Sequence, residues 1–279
     1  MKKIIVDSEY FNVLDTLECG QVFRFKPYKL GFLVYSLDKC AYCYNLDNKA
    51  VIECDDLDAD YFYNYFDLSK DYSIIYRSAQ EYSVEILRVS AMLGKGIRIL
   101  NQDPKETVIS FLISQNNNIP RIKSLIEKLC LKLGEKKEFL GEVYYAFPTI
   151  EKLKSVNVDF YRSLGLGYRA TYLLNAVSFL EKHPDLQSLK SLDTTCLKSV
   201  LLSVNGIGPK VADCVTLFGF KKTDSFPVDT WIEKIYLENF KGTLKSRQKM
   251  SEYFTTKFGE NSGYFQQYLF YYKRSLEKK

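Results

Sequence analysis

The chain has 279 residues, of which 39 are Lys or Arg, 34 are Asp or Glu, and one, His183, is histidine. An apolar content of 46% excludes an intrinsically disordered chain. A single histidine excludes metal sites that need two of them. Since no apolar run approaches the roughly 20 residues that span a bilayer, we expect no membrane segment.

Charge is distributed unevenly along the chain. Residues 1–100 carry 12 basic and 15 acidic side chains, whereas residues 101–279 carry 27 basic and 19 acidic ones. A basic excess confined to one part favours a polyanionic partner for that part. Ordinary scatter in composition explains the difference about equally well.

The cysteines indicate a reducing compartment. The chain has seven of them, which favours a cytoplasmic protein with reduced thiols, or a nuclear one in a eukaryote. Acidic residues follow directly after the first six residues, so we expect no signal peptide. Cys40 and Cys43 have the spacing of a zinc pair, with Cys19 and Cys54 as weaker partners, but positions within strands explain them more simply. We therefore expect no metal and no cofactor.

Strand patterns are confined to the first part of the chain. Residues 21–26 and 31–37 are rich in aromatic and β-branched side chains, and similar runs follow at 40–46 and 50–54. Turn residues separate these runs. We predict a small antiparallel sheet, followed by an aromatic helix near 58–66.

After residue 100 the spacing of apolar residues becomes helical. Asp103 and Pro104 are typical of a helix start, here for a helix to about Gln115, and Pro120 precedes a helix over 122–133. Eight later helices are predicted, at 149–155, 159–163, 168–182, 193–202, 209–218, 230–240, 245–258 and 261–275.

No strand pattern of comparable strength follows residue 100. The predicted fold class is therefore α+β, with an N-terminal antiparallel sheet domain over 1–100 and an all-helical body over 101–279.

A tight turn between the predicted helices at 193–202 and 209–218 is the most informative segment. Gly206 and Gly208 leave bare amides there that could hold a phosphate, although a simple turn explains two glycines about equally well. Lys210 follows in the first helical turn, where the helix dipole disfavours a cation. That placement favours a phosphate contact or a nucleophilic amine.

Two further residues are candidates for a site beside this lysine. Cys214 lies one helical turn after Lys210 and shares its helix face. Asp229 ends the Pro-Val-Asp loop at 227–229 and precedes an amphipathic helix. Each also has a purely structural explanation, as a small buried side chain and as a helix N-cap.

These features resemble the helix-hairpin-helix, Gly/Pro-rich, aspartate motif of DNA repair glycosylases, with the hairpin at about 193–220. The run GIGPKVADC at 206–214 is similar to the 8-oxoguanine DNA glycosylase branch of that superfamily. Four more segments resemble the same branch in the same order, at 19–25, 114–122, 164–170 and 263–270. Endonuclease III-like relatives bind a [4Fe–4S] cluster through four C-terminal cysteines, but here no cysteine follows Cys214.

The resemblance implies a bifunctional DNA glycosylase and AP lyase of base excision repair, acting as a monomer on double-stranded DNA that contains oxidised guanine. Lys210 would attack the sugar, expel 8-oxoguanine and form a Schiff base, and Asp229 would stabilise the positive charge that develops. Four residues would bind the flipped base: Gly20, Cys214, Gln266 and Phe270.

The resemblance also implies how the strands are separated. Asn116 would fill the space that the flipped nucleotide leaves, and Tyr168 would wedge the opposite strand. Arg121 and Arg169 would hydrogen-bond the estranged cytosine, since guanidinium donors suit its O2 and N3 acceptors. Trp231 departs from the pattern, because family members often place a phosphate-contacting histidine there.

Two alternatives remain open. One is a related glycosylase with a different damaged-base specificity. The other is a non-catalytic helix-hairpin-helix DNA-binding module, which needs the hairpin glycines but has no use for Lys210 with Asp229, or for Gln266 with Phe270. The sequence therefore favours the enzyme.

Overall fold

The N-terminal part is built on an antiparallel sheet, as the sequence predicts. The computed structural model describes residues 1–184 and 186–277. Five strands form this sheet in the order β1-β5-β4-β3-β2, namely β1 Lys2–Asp7, β2 Phe25–Tyr28, β3 Gly31–Ser36, β4 Lys39–Leu46 and β5 Lys49–Cys54. Asp47 and Asn48 both have positive φ and form the two-residue turn between β4 and β5.

Two details of the predicted sheet are wrong. Strand β1 was not predicted, because it is an exposed edge strand whose pairing with β5 depends on the rest of the sheet. The first predicted strand begins at Phe25 and not at residue 21. Gln21 is instead fully buried, and its side chain bonds to the Arg98 carbonyl oxygen at 2.7 Å and to the Leu100 amide at 2.9 Å.

The helices form most of the remaining chain. Their bounds are α1 Val13–Glu18, α2 Ala59–Tyr65, α3 Tyr72–Glu81, α4 Glu85–Leu93, α5 Pro104–Ser114, α6 Ile119–Leu133, α7 Ile150–Lys154, α8 Val158–Ser163, α9 Arg169–Lys182, α10 Gln187–Lys190, α11 Thr194–Leu202, α12 Pro209–Phe218, α13 Thr230–Asn239, α14 Arg247–Phe258 and α15 Ser262–Glu277. All the helices predicted from the sequence are present, and α1, α3, α4 and α10 are additional. In the described part of the chain, none of these helices combines the length and apolarity that a membrane crossing requires.

A second, two-stranded sheet lies within the helical body, so the expectation of an all-helical body is wrong at this point. It pairs β6 (Lys136–Phe139) with β7 (Glu142–Tyr145). Each strand has only four residues, which gives too little alternation to predict. Phe139 packs beside Leu33 and Tyr42 of the first sheet, so tertiary contacts stabilise this hairpin.

The two faces of the first sheet bury different clusters. One face packs against α1 and α2 and contains Cys43, whereas Cys40 belongs to the cluster on the other face. The two cysteines therefore point in opposite directions. Among the described residues, no group of three His, Cys, Asp or Glu side chains could hold a metal ion.

The sheet part and the helical body are joined by buried polar contacts. Arg24 contacts Glu106 of α5 at 3.2 Å, and Glu106 also accepts the Leu37 amide at 2.7 Å. Helices α3 and α4 share one hydrophobic cluster with the helices after residue 100. The domain boundary at residue 100 remains a prediction.

Candidate active site

The hairpin between α11 and α12 requires glycine at Gly206. Its φ is +104°, and a Cβ there would lie 2.4 Å from Cγ of Tyr172. A Cβ at Gly208 would meet nothing within 4 Å, so the backbone at this position is open. Pro209 and Lys210 then form the first turn of α12.

A cavity of about 60 Å³ brings together all the residues predicted for catalysis and base binding. Helix α12 contributes Lys210 and Cys214, helix α15 contributes Gln266 and Phe270, and the chain before α13 and after α1 contributes the last two. These six lining residues are Gly20, Lys210, Cys214, Asp229, Gln266 and Phe270. Four lining residues were not predicted as site residues, namely Phe111, Phe218, Pro227 and Gln267.

Lys210 lies against aromatic and thiol groups. Its Nζ is 5.5 Å from the ring centroid of Phe111, which stacks on Phe218 with a centroid distance of 5.5 Å. Burial raises the pKa of the Cys214 thiol to about 11, although the nearby positive charge of Lys210 opposes this shift. Cys214 is therefore a neutral thiol at physiological pH, suited to contact a base.

Asp229 is both a helix cap and a member of the site. Its Oδ1 accepts hydrogen bonds from the amides of Trp231 at 3.0 Å and Ile232 at 2.9 Å, which fixes the carboxylate at the start of α13. Burial raises the pKa of Asp229, while the Ile232 amide and the charge of Lys210 act in the opposite direction. The helix-cap explanation is therefore confirmed and the carboxylate lies in the cavity, while its catalytic role remains a prediction.

The loop that carries Asp229 is tied to α12 through Asp213. The Asp213 carboxylate lies 2.5 Å from Nζ of Lys198 and accepts a hydrogen bond from Ser225 at 3.2 Å. Ser251 of α14 lies 3.3 Å from the same carboxylate and donates to the Phe226 carbonyl oxygen at 2.8 Å. Asp213 belongs to the GIGPKVADC run, but the sequence carries no sign of its long-range partners.

Gly20 closes against α15. Its φ is +86°, and a Cβ there would lie 2.9 Å from Cε1 of Phe270, so a side chain would clash with the ring. Tyr271 donates to Asp15 of α1 at 2.7 Å, which holds α15 beside the segment with Gly20. The positive φ of Gly20 and its close contact with Phe270 therefore both favour glycine at this position.

Gln266 is buried and lies inside the structure rather than on a solvated helix face. Its Nε2 donates to the carbonyl oxygen of Pro227 at 3.2 Å, and its Oε1 accepts from Nε2 of Gln267 at 2.8 Å. The side chain therefore has a defined amide orientation in the wall of the cavity.

The residues predicted to separate the strands lie together on one surface, outside the cavity lining. Asn116 is exposed in the loop between α5 and α6 and has a φ of +47°. Arg121 is exposed, and its Nη2 donates to the Gly165 carbonyl oxygen at 3.4 Å. Tyr168 is 52% exposed and lies under the Arg169 guanidinium, 4.7 Å from ring centroid to Cζ.

Arg169 differs from Arg121 in its surroundings. It is only 6% exposed, and its guanidinium donates to backbone carbonyl oxygens of the Asn116 loop. The structure thus places Arg169 beneath the loop. Its contact with cytosine remains a prediction.

Trp231 takes up the position at which the sequence departs from the family pattern. Its backbone amide donates a hydrogen bond to the Asp229 carboxylate, and Nζ of Lys234 lies 5.4 Å from its ring centroid. The ring is half-buried.

Comparison with known proteins identifies the same relatives along most of the chain. The family profile of the 8-oxoguanine DNA glycosylase N-terminal domain matches residues 3–108. A probable N-glycosylase/DNA lyase of Methanothermobacter thermautotrophicus is 31% identical over 229 residues, which cover 75% of this chain and 72% of that protein. The N-glycosylase/DNA lyase OGG1 of Arabidopsis thaliana is 35% identical over 191 residues, or 63% of this chain and 52% of the plant protein.

A solved structure extends the similarity to nearly the whole fold. The Clostridium acetobutylicum 8-oxoguanine glycosylase/lyase, in complex with double-stranded DNA containing cytosine opposite 8-oxoG, superposes with a TM-score of 0.91. It is 36% identical, and the match covers 96% of this chain and 93% of that one.

Proposed function

The chain belongs to the 8-oxoguanine DNA glycosylase family of helix-hairpin-helix glycosylases, and from this membership we propose that it excises 8-oxoguanine opposite cytosine from duplex DNA and then cleaves the strand as an AP lyase. The observation that carries the proposal is the cavity, in which Lys210 and Asp229 lie with Gly20, Cys214 and Gln266. A non-catalytic DNA-binding module has no use for this combination.

Access to the lesion requires the nucleotide to leave the helix. A base inside a duplex is unreachable, and flipping it out costs a few kcal/mol. Asn116, at the exposed tip of its loop, occupies the vacated space, and Tyr168 wedges the opposite strand. The open backbone at Gly208, with the N-terminus of α12, binds a DNA phosphate.

The pocket selects the oxidised base by its hydrogen-bond donors. Oxidation converts N7 of guanine from an acceptor to an N–H donor, and the carbonyl oxygen of Gly20 accepts that hydrogen. The Gln266 amide both donates and accepts, so it reads the Watson–Crick edge. Phe270 and Cys214 enclose the ring from its two faces.

The chemistry uses an amine and a carboxylate. Lys210 loses its ammonium proton and attacks C1′, the C1′–N9 bond breaks and its electron pair leaves with the base, and the base takes up the proton. The sugar ring then opens to a Schiff base, and loss of a C2′ proton expels the 3′-phosphate. Asp229, held by two amides, stabilises the positive charge on the sugar during base departure.

The experiment that tests this proposal traps the intermediate. Borohydride reduces a Schiff base, so a duplex with one 8-oxoguanine opposite cytosine should give a covalent protein–DNA adduct. Lys210→Gln should bind the duplex without excision or trapping, whereas the control Lys152→Gln, an exposed residue of α7, should behave like wild type. Excision by Lys210→Gln would contradict the mechanism.

The same assay tests the alternative that the enzyme removes a different damaged base. Excision should be fastest opposite cytosine when the four opposite bases are compared, and undamaged guanine should not be released. Preferred release of another damaged base would show that the scaffold serves a different lesion.

A further inference from the structure

Two consecutive glutamine side chains form a hydrogen-bonded chain in the cavity wall. Nε2 of Gln267 donates to Oε1 of Gln266 at 2.8 Å, and Nε2 of Gln266 donates to the carbonyl oxygen of Pro227 at 3.2 Å. All three residues line the cavity with Lys210. The proposed function assigns a role to Gln266 but none to Gln267.

This chain has one self-consistent direction. A backbone carbonyl oxygen can only accept, so Gln266 must turn its NH₂ group towards Pro227. Its Oε1 then faces Gln267, which must supply a donor and therefore turns its NH₂ group towards Gln266. Reversing either amide would bring two acceptors or two donors together.

Stability does not account for Gln267. The residue is 3% exposed, and its Oε1 has no hydrogen-bond partner among the residues that the structure describes. An unpaired buried carbonyl oxygen costs free energy, and an apolar side chain of similar length would avoid that cost. The hydrogen bond to Gln266 is what this side chain supplies.

We propose that Gln267 is a positioning residue for base recognition, which fixes the amide of Gln266 so that the flipped base meets one orientation of its donor and acceptor. Each amide oxygen has a second lone pair and each NH₂ group a second hydrogen, so Gln266 keeps one acceptor and one donor for the base. An amide free to reverse would offer these groups in exchanged positions, where guanine N–H groups and O6 meet the wrong partner.

The test separates base recognition from the lysine chemistry. Gln267→Met removes the donor to Gln266 at nearly the same side-chain length, and Gln267→Leu removes it with a branched apolar side chain. We expect kcat/KM for excision of 8-oxoguanine to fall about five- to tenfold, the effect of losing one orienting hydrogen bond. Cleavage of a preformed abasic site, which has no base to read, should keep its wild-type rate.

Matched measurements make each outcome decisive. Gln248→Glu, at an exposed position of α14, should leave both activities unchanged. The unfolding midpoint of Gln267→Met should stay close to wild type, because one unpaired oxygen is removed while Oε1 of Gln266 loses its donor. Equal loss of excision and abasic-site cleavage, no loss of either, or failure of both variants to fold would each overturn the proposal.

The inference rests on the proposed excision of 8-oxoguanine. Wild-type protein in the same assay tells the two failures apart. If wild type releases no 8-oxoguanine, the proposed function is wrong. If wild type does release it and the Gln267 variants are unaffected, only the positioning role is wrong.

Discussion

Arg169 and Asn116 are joined by a hydrogen bond in which Nη2 of the arginine donates to the asparagine carbonyl oxygen at 2.8 Å. Nε of the same guanidinium donates to the Gln115 carbonyl oxygen at 2.8 Å. Asn116 adopts a φ of +47°, a conformation that asparagine tolerates better than most residues but that still needs support. Gln115 adds that support through Gly206, to whose carbonyl oxygen its Nε2 donates at 3.0 Å.

Loss of the Arg169 contacts should slow excision whatever base lies opposite the lesion. We expect Arg169→Met to lower the excision rate roughly tenfold or more, since hydrogen bonds from a charged donor contribute about 1.5–3 kcal/mol each. The decrease should also be seen opposite adenine, guanine and thymine if the loop enters the duplex in every case as proposed, and it should be larger opposite cytosine if Arg169 contacts that base as well. A decrease confined to cytosine would show instead that Arg169 leaves the loop to contact that base.

Arg121 should have the opposite signature. Its side chain is exposed and, within the described part of the chain, makes one hydrogen bond, at 3.4 Å to the Gly165 carbonyl oxygen, so it can turn to the estranged base. Arg121→Met should reduce the preference for cytosine, as measured by excision rates opposite the four bases. Stability should change by no more than about 0.5 kcal/mol, as is usual for surface positions. Arg77→Met, at an exposed position of α3, is the control, and a retained cytosine preference in Arg121→Met would refute the assignment.

Asp213 should be far more important for stability than a surface carboxylate. Asp213→Ala leaves the Lys198 ammonium and the Ser225 hydroxyl without their shared acceptor inside the protein. Lys198 is 24% exposed and can turn to water, so the loss of this buried acceptor should cost about 1–3 kcal/mol in the free energy of unfolding. Urea unfolding followed by circular dichroism measures it. Asp224→Ala removes an exposed carboxylate that binds Thr194 and should cost less than about 1 kcal/mol.

The activities of the Asp213 variant provide a second readout. Because Asp213 holds the loop with Asp229 against α12, residual folded protein should lose excision and abasic-site cleavage together. Equal stability of the Asp213 and Asp224 variants would show that the buried network contributes nothing.

Sequence patterns within short segments were sufficient to predict most helices and the hairpin between α11 and α12. Asp103, Asn118 and Asp229 each accept backbone amides at the start of a helix, and such caps are readable because the cap and its helix are adjacent in the chain. The cavity residues were predicted from the resemblance of their motifs to those of a family, and not from the periodicity of apolar residues. A spacing such as that of Gln266 and Phe270 indicates a shared face but does not say what that face meets.

Contacts between distant segments could not be predicted. The hairpin of β6 and β7 exists because Phe139 packs on the first sheet, and α4 packs on α15, which lies more than 160 residues later in the chain. The same limit hid Gln267. A second glutamine beside Gln266 looks like an ordinary polar residue until the carbonyl oxygen of Pro227 fixes the direction of both amides.

Asp229 should set the acidic limit of excision. Burial raises its pKa, so the carboxylate takes up a proton at a higher pH than an ordinary aspartate does. Only the ionised form stabilises a positive sugar, so the excision rate should fall as the pH drops through this raised pKa. Asp229→Asn keeps a competent helix cap and should remove this limb from the pH–rate profile while lowering the maximal rate by about 10²-fold or more.

Stability gives an independent check on the raised pKa of Asp229. The excision rate should fall as the pH drops, whereas the stability of the folded state should fall as the pH rises. Because the pKa of Asp229 is higher in the folded chain than in the unfolded one, the unfolded chain ionises first as the pH rises, and the folded state loses stability across that window. Asp229→Asn does not titrate, so the stability of wild type relative to this variant should decrease as the pH rises through the window and stay constant above it. Unfolding free energies measured across the acidic range test this. A difference that grows with pH would mean that the charge of Lys210 and the two capping amides outweigh burial, and that the pKa of Asp229 is lowered.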